Sequence, residues 1–523
     1  MKRTIAFLFI TSIFFVSLPC FGSPAPAAAR APHAMVSSQH ELATRIGIDI
    51  LKKGGNAVDA AIAVGIALAV VYPEAGNIGG GGFMLIRTAK GEFHAIDYRE
   101  MAPKAAGRDL YVGPDGQIIR GEGSSTLGYR ASGVPGTLAG FDLALKKYGS
   151  GKIRWADLVR PARLLAERGF ALDDRGLGRI EADRKGLEKY PDSKRIFLNG
   201  DAGYKENDFL RQPELGKVLG RVERFGASEF YNGETARLIA SDMKANNGLI
   251  TLDDLKNYKA QERTPVRGTY RGFPVISMPP PSSGGAVALE VLNILENYDF
   301  KAIKQNSAAR YHLIAEAMRR GFADRAMYFG DPAFTKVPLE RIIDKSYGRE
   351  RAADIDTQHA STSKSVGPGN VQIAEGTETT NYCVIDAAGN AVINTYTLND
   401  LFGSKVTIKG TGILMNDEMD DFTARPGVPN VFGLIQGAQN SVEPGKRPMS
   451  SMTPTIVLRK DGSFWFGVGA RGGPRITSAV IQTIIAVIDD GLDIQGAIDA
   501  PRVHHQWLPD ELVYEPRSEE HTS

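Results

Sequence analysis

The spacing of apolar and polar positions changes period several times along the chain, and each change predicts an element. From Ser37 to Tyr72, Ala, Ile, Leu and Val recur at helical spacing on either side of Gly54-Gly55, which predicts two helices. The second, Ala57 to Val71, is apolar nearly all round and is expected to be buried. Asn77-Ile78 and the glycines Gly79 to Gly82 then lead into a strand, Phe83 to Arg87, with Glu92 to Tyr98 as its partner. A glycine loop that cradles phosphate is normally followed by a helix; here a strand follows, so close backbone packing is the better reading. Helical patterns return at Gly136 to Lys147, Trp155 to Arg168, Glu234 to Asn246 and Ala308 to Tyr328. The Pro/Gly-rich connection SMPPPSSGGA, Ser277 to Ala286, precedes another apolar helical stretch. Near the end, Thr453 to Leu458 and Ser463 to Val468 pair across Lys460-Asp461-Gly462, and a helix over Ile476 to Ile488 follows. No solenoid-type repeat is present. Hairpins alternating with blocks of buried helix predict an α/β (α+β) fold with sheets covered by helix layers.

One hairpin carries more than packing. Thr379 to Asn399 reads TTNYCVIDAAGNAVINTYTLN, two alternating strands around Ala387-Ala388-Gly389-Asn390. Its first strand opens on Thr379-Thr380; its second ends on Thr395, Thr397 and then Asn399. Antiparallel pairing brings those far ends together, so Thr379 and Thr397 are expected to be neighbours. Upstream, Asp354 to Glu378 is poor in large apolar residues and reads as a mobile loop. A loop running into a strand that begins with Thr suggests a cut between Glu378 and Thr379. Such a cut leaves Thr379 with a free α-amine beside its own hydroxyl, nucleophile and base in one residue. On spacing alone, an ordinary sheet with threonines at β-favoured positions is the better reading of the same residues.

Composition adds limits. A net charge of +2 over 523 residues gives no reason to expect nucleic acid or an anionic membrane surface as partner. Lys2-Arg3, the apolar run Ile5 to Val16 and the small residues Gly22 to Ala29 follow the order of a secretory signal peptide, residues 1–27, and imply a periplasmic or secreted protein. That run is short for a membrane span, which needs about 20 apolar residues. Of two cysteines, Cys20 leaves with the signal; Cys383 remains, without an internal partner, as a core thiol. Residues 517–523, RSEEHTS, read as a non-native tail, and no functional weight falls on His521.

The ordered series TTNYCVID, NTYTLN, GILMNDEMDDF, KRPMSSMTPTIV and GARGGPRI resembles the γ-glutamyltranspeptidase (glutathione hydrolase) family, self-cleaving members of the N-terminal-nucleophile hydrolases. The likeness runs from about Met35 to Glu515, and the family normally continues some tens of residues further. It implies a four-layer αββα sandwich forming one structural domain, with a large chain 28–378 and a small chain 379–516. It also implies a γ-glutamyltransferase and glutathione hydrolase that needs no cofactor and no metal. Glutathione, other γ-glutamyl compounds, and amino acid or dipeptide acceptors are the expected partners.

Site residues follow by motif. Thr379 is the nucleophile, and the resemblance gives Thr397 the task of holding its rotamer. Gly472 and Gly473 in GARGGPRI are candidate oxyanion donors, because paired glycines let backbone N–H groups approach a ligand; taken alone, a tight turn before the next helix is the better reading. A γ-glutamyl group carries an α-amine and an α-carboxylate, so its pocket needs both charges. Glu418, Asp421 and Asn399 are carried over for the ammonium. Arg99, Ser450 and Ser451 are carried over for the carboxylate. Asp420 is assigned to structure. The acidic run lacks the regular oxygen spacing of a calcium loop. Many bacterial relatives place a lid tyrosine in the loop after MDDF; in the loop Arg425 to Asn440 the matching residue is Phe432. His504 and His505 read as structural. Two rivals are carried forward: a glutaryl-type (cephalosporin) acylase, and a non-catalytic exported binding protein of the same fold.

Overall fold

The computed structural model describes residues 27–367 and 379–515. Residues 1–26 of the export segment, Glu378 and the tail therefore lie outside the described residues, as do residues 368–377 of the loop before Thr379.

In chain order, the elements that build the site begin with β1 (Met35–Ser37), α1 (Glu41–Lys52), α2 (Ala57–Val71), β2 (Gly81–Arg87) and β3 (Phe93–Asp97). Next come α3 (Thr137–Tyr148), α4 (Trp155–Arg168), α5 (Pro213–Phe225), β4 (Gln261–Arg263), β5 (Val266–Tyr270) and β6 (Phe273–Ser277). Helices α6 (Gly284–Leu295) and α7 (Ala308–Tyr328) precede the hairpin β7 (Thr380–Ile385) and β8 (Ala391–Thr397). The series ends with β9 (Thr455–Leu458), β10 (Phe464–Val468) and α8 (Arg475–Ile488).

The strands form two principal antiparallel sheets. One is six-stranded, in the order β1-β7-β8-β2-β3-β4; the other is four-stranded, in the order β10-β9-β6-β5. Period-two alternation assigns each face of the first sheet its own partner. Phe83, Leu85 and Ile393 point one way and meet Ile276, Met278 and Ile456 of the second sheet's side. Met84, Ile86, Val384 and Val392 point the other way, into a core built on α1 and α2. The far side of the second sheet packs Val275, Val457 and Phe466 against α6, α7 and α8.

Helix α2 is buried along its whole length. Asn56 caps it, reciprocated by the Asp59 side chain. Its first N–H, at Ala57, donates to Asp386 Oδ2 at 2.9 Å, and Asp386 Oδ1 accepts from the Ala388 and Asn390 N–H groups of the hairpin turn. One carboxylate thus closes the turn and caps a helix that precedes it by more than three hundred residues.

Candidate active site

The hairpin register pairs Tyr396 with Thr380, and one further step sets Thr397 opposite Thr379. Both threonines are buried at 3% exposure, so the strand start is not an open terminus on the surface. They line one small cavity with Arg99, Asn399, Asp421, Phe432, Ser450, Ser451 and Gly473. Thr397 Oγ1 accepts the Asn399 N–H at 2.8 Å. Asn399 sits at φ +87°, in the left-handed region that Asn tolerates better than most residues, and its amide nitrogen donates to the Asp417 carbonyl at 3.2 Å.

Gly472 and Gly473 have φ of +110° and +54°. A Cβ at Gly473 would lie 2.8 Å from Cδ1 of Phe432, so ring and glycine are in direct contact. The two carbonyls accept from Arg475 and Ile476 at the start of α8. Among the described residues, their N–H groups have no acceptor. Two donors held in a tight turn beside Thr379 are suited to a developing oxyanion.

The charged side is dominated by Arg99, which is fully buried. Its guanidinium contacts Glu418 at 2.5 Å and Glu100 at 3.5 Å, and it also pairs with Asp421. The same group donates to the Pro448 and Met449 carbonyls. Burial opposes its charge, but Glu418, Asp421 and Glu100 outweigh it and hold the guanidinium above its usual range. Burial pushes Glu418 and Asp421 upward while Arg99 pulls them back down. Glu100, whose carboxylate oxygens accept no hydrogen bond among the described residues, is pushed up to about 8 by burial. Three carboxyls share one guanidinium here.

Arg99, the sequence-assigned carboxylate fork, therefore spends its donors on the acidic pair assigned to the ammonium. Glu418 reaches the cavity through Arg99 rather than lining it, and Gly472 stands beside the lining rather than in it. Asp420 accepts from Ser125 Oγ and the Val431 N–H, each at 2.6 Å, and burial raises it to about 6; it anchors the loop that carries Phe432. Asn430 on that loop donates to Asp421 Oδ1 at 3.2 Å. The cavity is about 20 Å³, little more than one water needs, so its lining must open to admit a ligand. Cys383 is half-buried and its thiol is pushed up to about 12 by burial, a protonated and unreactive state.

Sequence reading missed Arg325. It lies on α7, buried, with Nε donating to Ser283 Oγ at 3.0 Å and Nη2 to Ser451 Oγ at 3.3 Å. Its signal was a helix, AEAMRRGFADRA, with more charge than one solvated face can hold.

The mixed α/β architecture, with its antiparallel sheets, is that of the N-terminal-nucleophile hydrolases. Superposition with a cephalosporin acylase from Bacillus halodurans gives a TM-score of 0.80 at 27% identity, covering 92% of this chain and 86% of that one. The γ-glutamyltranspeptidase of Helicobacter pylori matches with a TM-score of 0.64 at 42% identity, over 67% of this chain and 99% of that one. In sequence, a glutathione hydrolase proenzyme of Escherichia coli (strain K12) is 49% identical over 487 residues, 93% of this chain and 83% of that protein. Residues 43–523 match the family described as Gamma-glutamyltranspeptidase. The chain belongs to the γ-glutamyltranspeptidase family.

Proposed function

We propose that this chain is an exported, self-processing γ-glutamyltransferase and glutathione hydrolase. The observation that carries the reading is a single buried cavity lined by Thr379, Thr397, Gly473, Arg99, Asp421 and the Ser450-Ser451 pair. Cleavage between Glu378 and Thr379 gives a large chain ending at 378 and a small chain beginning with the nucleophile. Both belong to one four-layer αββα sandwich; the apolar cluster shared by the two sheets and the helices on their outer faces support this. The charge and apolar order of residues 1–27 supports export to the periplasm or medium.

Thr379 Oγ attacks the γ-carbonyl of glutathione or another γ-glutamyl compound, and its α-amine takes the hydroxyl proton. The N–H groups of Gly472 and Gly473 receive the oxyanion. Collapse expels the amine, which regains a proton from the α-ammonium, and leaves a γ-glutamyl ester on Thr379. Water regenerates the threonine with release of glutamate; an amino acid or peptide amine resolves the same ester by transfer. Thr397 restrains the nucleophile's rotamer. Asp421 and Asn399 receive the substrate ammonium, with Glu418 acting through Arg99; Ser450 and Ser451, with Arg99 beside them in the lining, receive the carboxylate.

The acylase reading draws on the likeness to the Bacillus halodurans enzyme. A glutaryl side chain brings no ammonium, and the surplus of buried carboxyls at Arg99 argues against it. Intact mass of the parent and of Thr379→Ala tests the processing step. Two fragments, the smaller beginning at Thr379, against one uncut variant chain is the expected result. Turnover of a γ-glutamyl anilide but not a glutaryl anilide then separates transferase from acylase. An uncut, folded parent would reject the catalytic reading in favour of a binding protein.

A further inference from the structure

Hydroxyl groups bind carboxylates only when their hydrogens point at the ligand, and at Ser450 and Ser451 the surroundings fix that direction. Ser450 Oγ accepts the Met452 N–H at 3.1 Å. Ser451 Oγ accepts from Arg325 Nη2 at 3.3 Å. An oxygen that already accepts from behind turns its own O–H away from that donor. Both serines line the cavity, and no acceptor among the described residues takes either hydroxyl hydrogen, which leaves both for a ligand there. Arg325 also donates through Nε to Ser283 Oγ, and Ser283 in turn donates to the Ser450 carbonyl at 2.7 Å. One guanidinium therefore fixes both the Ser451 hydroxyl and the peptide that carries it.

Arg325 is 2% exposed, and its Nη1 has no hydrogen-bond partner among the described residues. No carboxylate forms an ion pair with it among those residues. Asp421 is near enough to favour the charge, and burial lowers the guanidinium to about 10, so it stays protonated at neutral pH. A buried cation without a counter-charge is costly unless an anion arrives to balance it. Arg99, by contrast, is already surrounded by carboxyls.

We infer that Arg325 is a positioning residue for the substrate's α-carboxylate: it orients and polarises the Ser451 hydroxyl as a donor, a task that Arg99, engaged by Glu418 and Asp421, does not perform. This rests on the γ-glutamyl reading above. It does not touch the reacting atoms; it acts through Ser451.

A double-mutant cycle tests it, using processed enzyme and a γ-glutamyl anilide. Arg325→Met is expected to raise KM about tenfold to a hundredfold, with kcat far less affected, the scale of a lost charge-assisted hydrogen bond. Ser451→Ala is expected to do the same. The double variant should fall within about twofold of Ser451→Ala alone, because the two side chains act as one unit. Arg325→Lys should recover part of the loss, since an ammonium reaches one hydroxyl but not both. If Arg325→Met yields no processed enzyme, Arg325→Lys carries the same cycle. Losses that multiply independently, or a fall in kcat at unchanged KM, would overturn the assignment and leave Arg325 a tether of α7. No turnover of the anilide by the parent would instead defeat the γ-glutamyl reading, and the role of Arg325 with it.

Discussion

Two buried charge clusters stand two residues apart on the end of β3, and they are built on opposite principles. Asp97 accepts from Arg447 and Arg263, each at 2.6 Å, and from the Arg99 N–H at 3.0 Å. Every polar atom of that aspartate has a partner, and the group is closed. At Arg99 the balance reverses. Three carboxyls crowd one guanidinium, and the oxygens of Glu100 and Glu418 lack hydrogen-bond donors among the described residues. The first cluster joins β3, β4 and the segment before β9. The second faces a cavity and holds more carboxyls than its one guanidinium can pair, so burial keeps Glu100 protonated at neutral pH. A satisfied network supplies rigidity, whereas an unsatisfied one stores affinity for a cation that the protein itself lacks.

The comparison can be tested in steps. The largest effect is expected outside both clusters: Thr379→Ala should lose at least about a thousandfold of anilide turnover while both clusters stay intact, measured with a matched thermal melt. Asp97→Asn leaves two arginines uncompensated and should cost about 3–5 kcal/mol of stability, read as a drop in melting temperature. Asp421→Asn should barely move the melting temperature, yet raise KM for a γ-glutamyl anilide about tenfold or more, because the carboxylate it removes is in surplus. If Asp421→Asn destabilises as much as Asp97→Asn, the distinction between the clusters fails.

The smallest effect concerns pH. Glu100 titrates near 8 in the folded protein, above its ordinary range, so the native state holds a proton that the unfolded chain releases at lower pH. Its contribution is fully present below the unfolded value and is lost as pH rises through about 8. Glu100→Gln should flatten that decline by up to about 1.4 kcal/mol per pH unit between about pH 5 and 8, seen in melts across the range. An unchanged slope would place the retained proton elsewhere in the cluster.

How much of this was legible in the sequence depends on the distance over which each feature is decided. The hairpin at Thr379, the all-apolar helix α2 and the strand pair at Thr453 are set by local period and turn residues, and the observed elements fall within a few residues of those expected. β5 and β6 were missed, because Gly268, Gly272 and Pro274 interrupt an otherwise alternating run from Val266 to Ser277. Ser37 belongs to β1 rather than to the helical stretch, since pairing with Cys383 decides it from far along the chain. The cavity residues were found through matched motifs. What could not be read was their mutual pairing: the link from Arg99 to Asp421 joins positions 322 apart, and Arg325 looked like one more charge on a helix.

The order of strands in the first sheet has a consequence for handling the protein. β7 and β8 follow the proposed cut, yet they lie between β1 and β2, which precede it. The later piece is thus wedged into the middle of the earlier one, with backbone ladders on both flanks and Asp386 pinned to the start of α2. Severing the chain before Thr379 creates two new ends and separates nothing. Dilution or gel filtration would carry both pieces together, and only denaturant would part them.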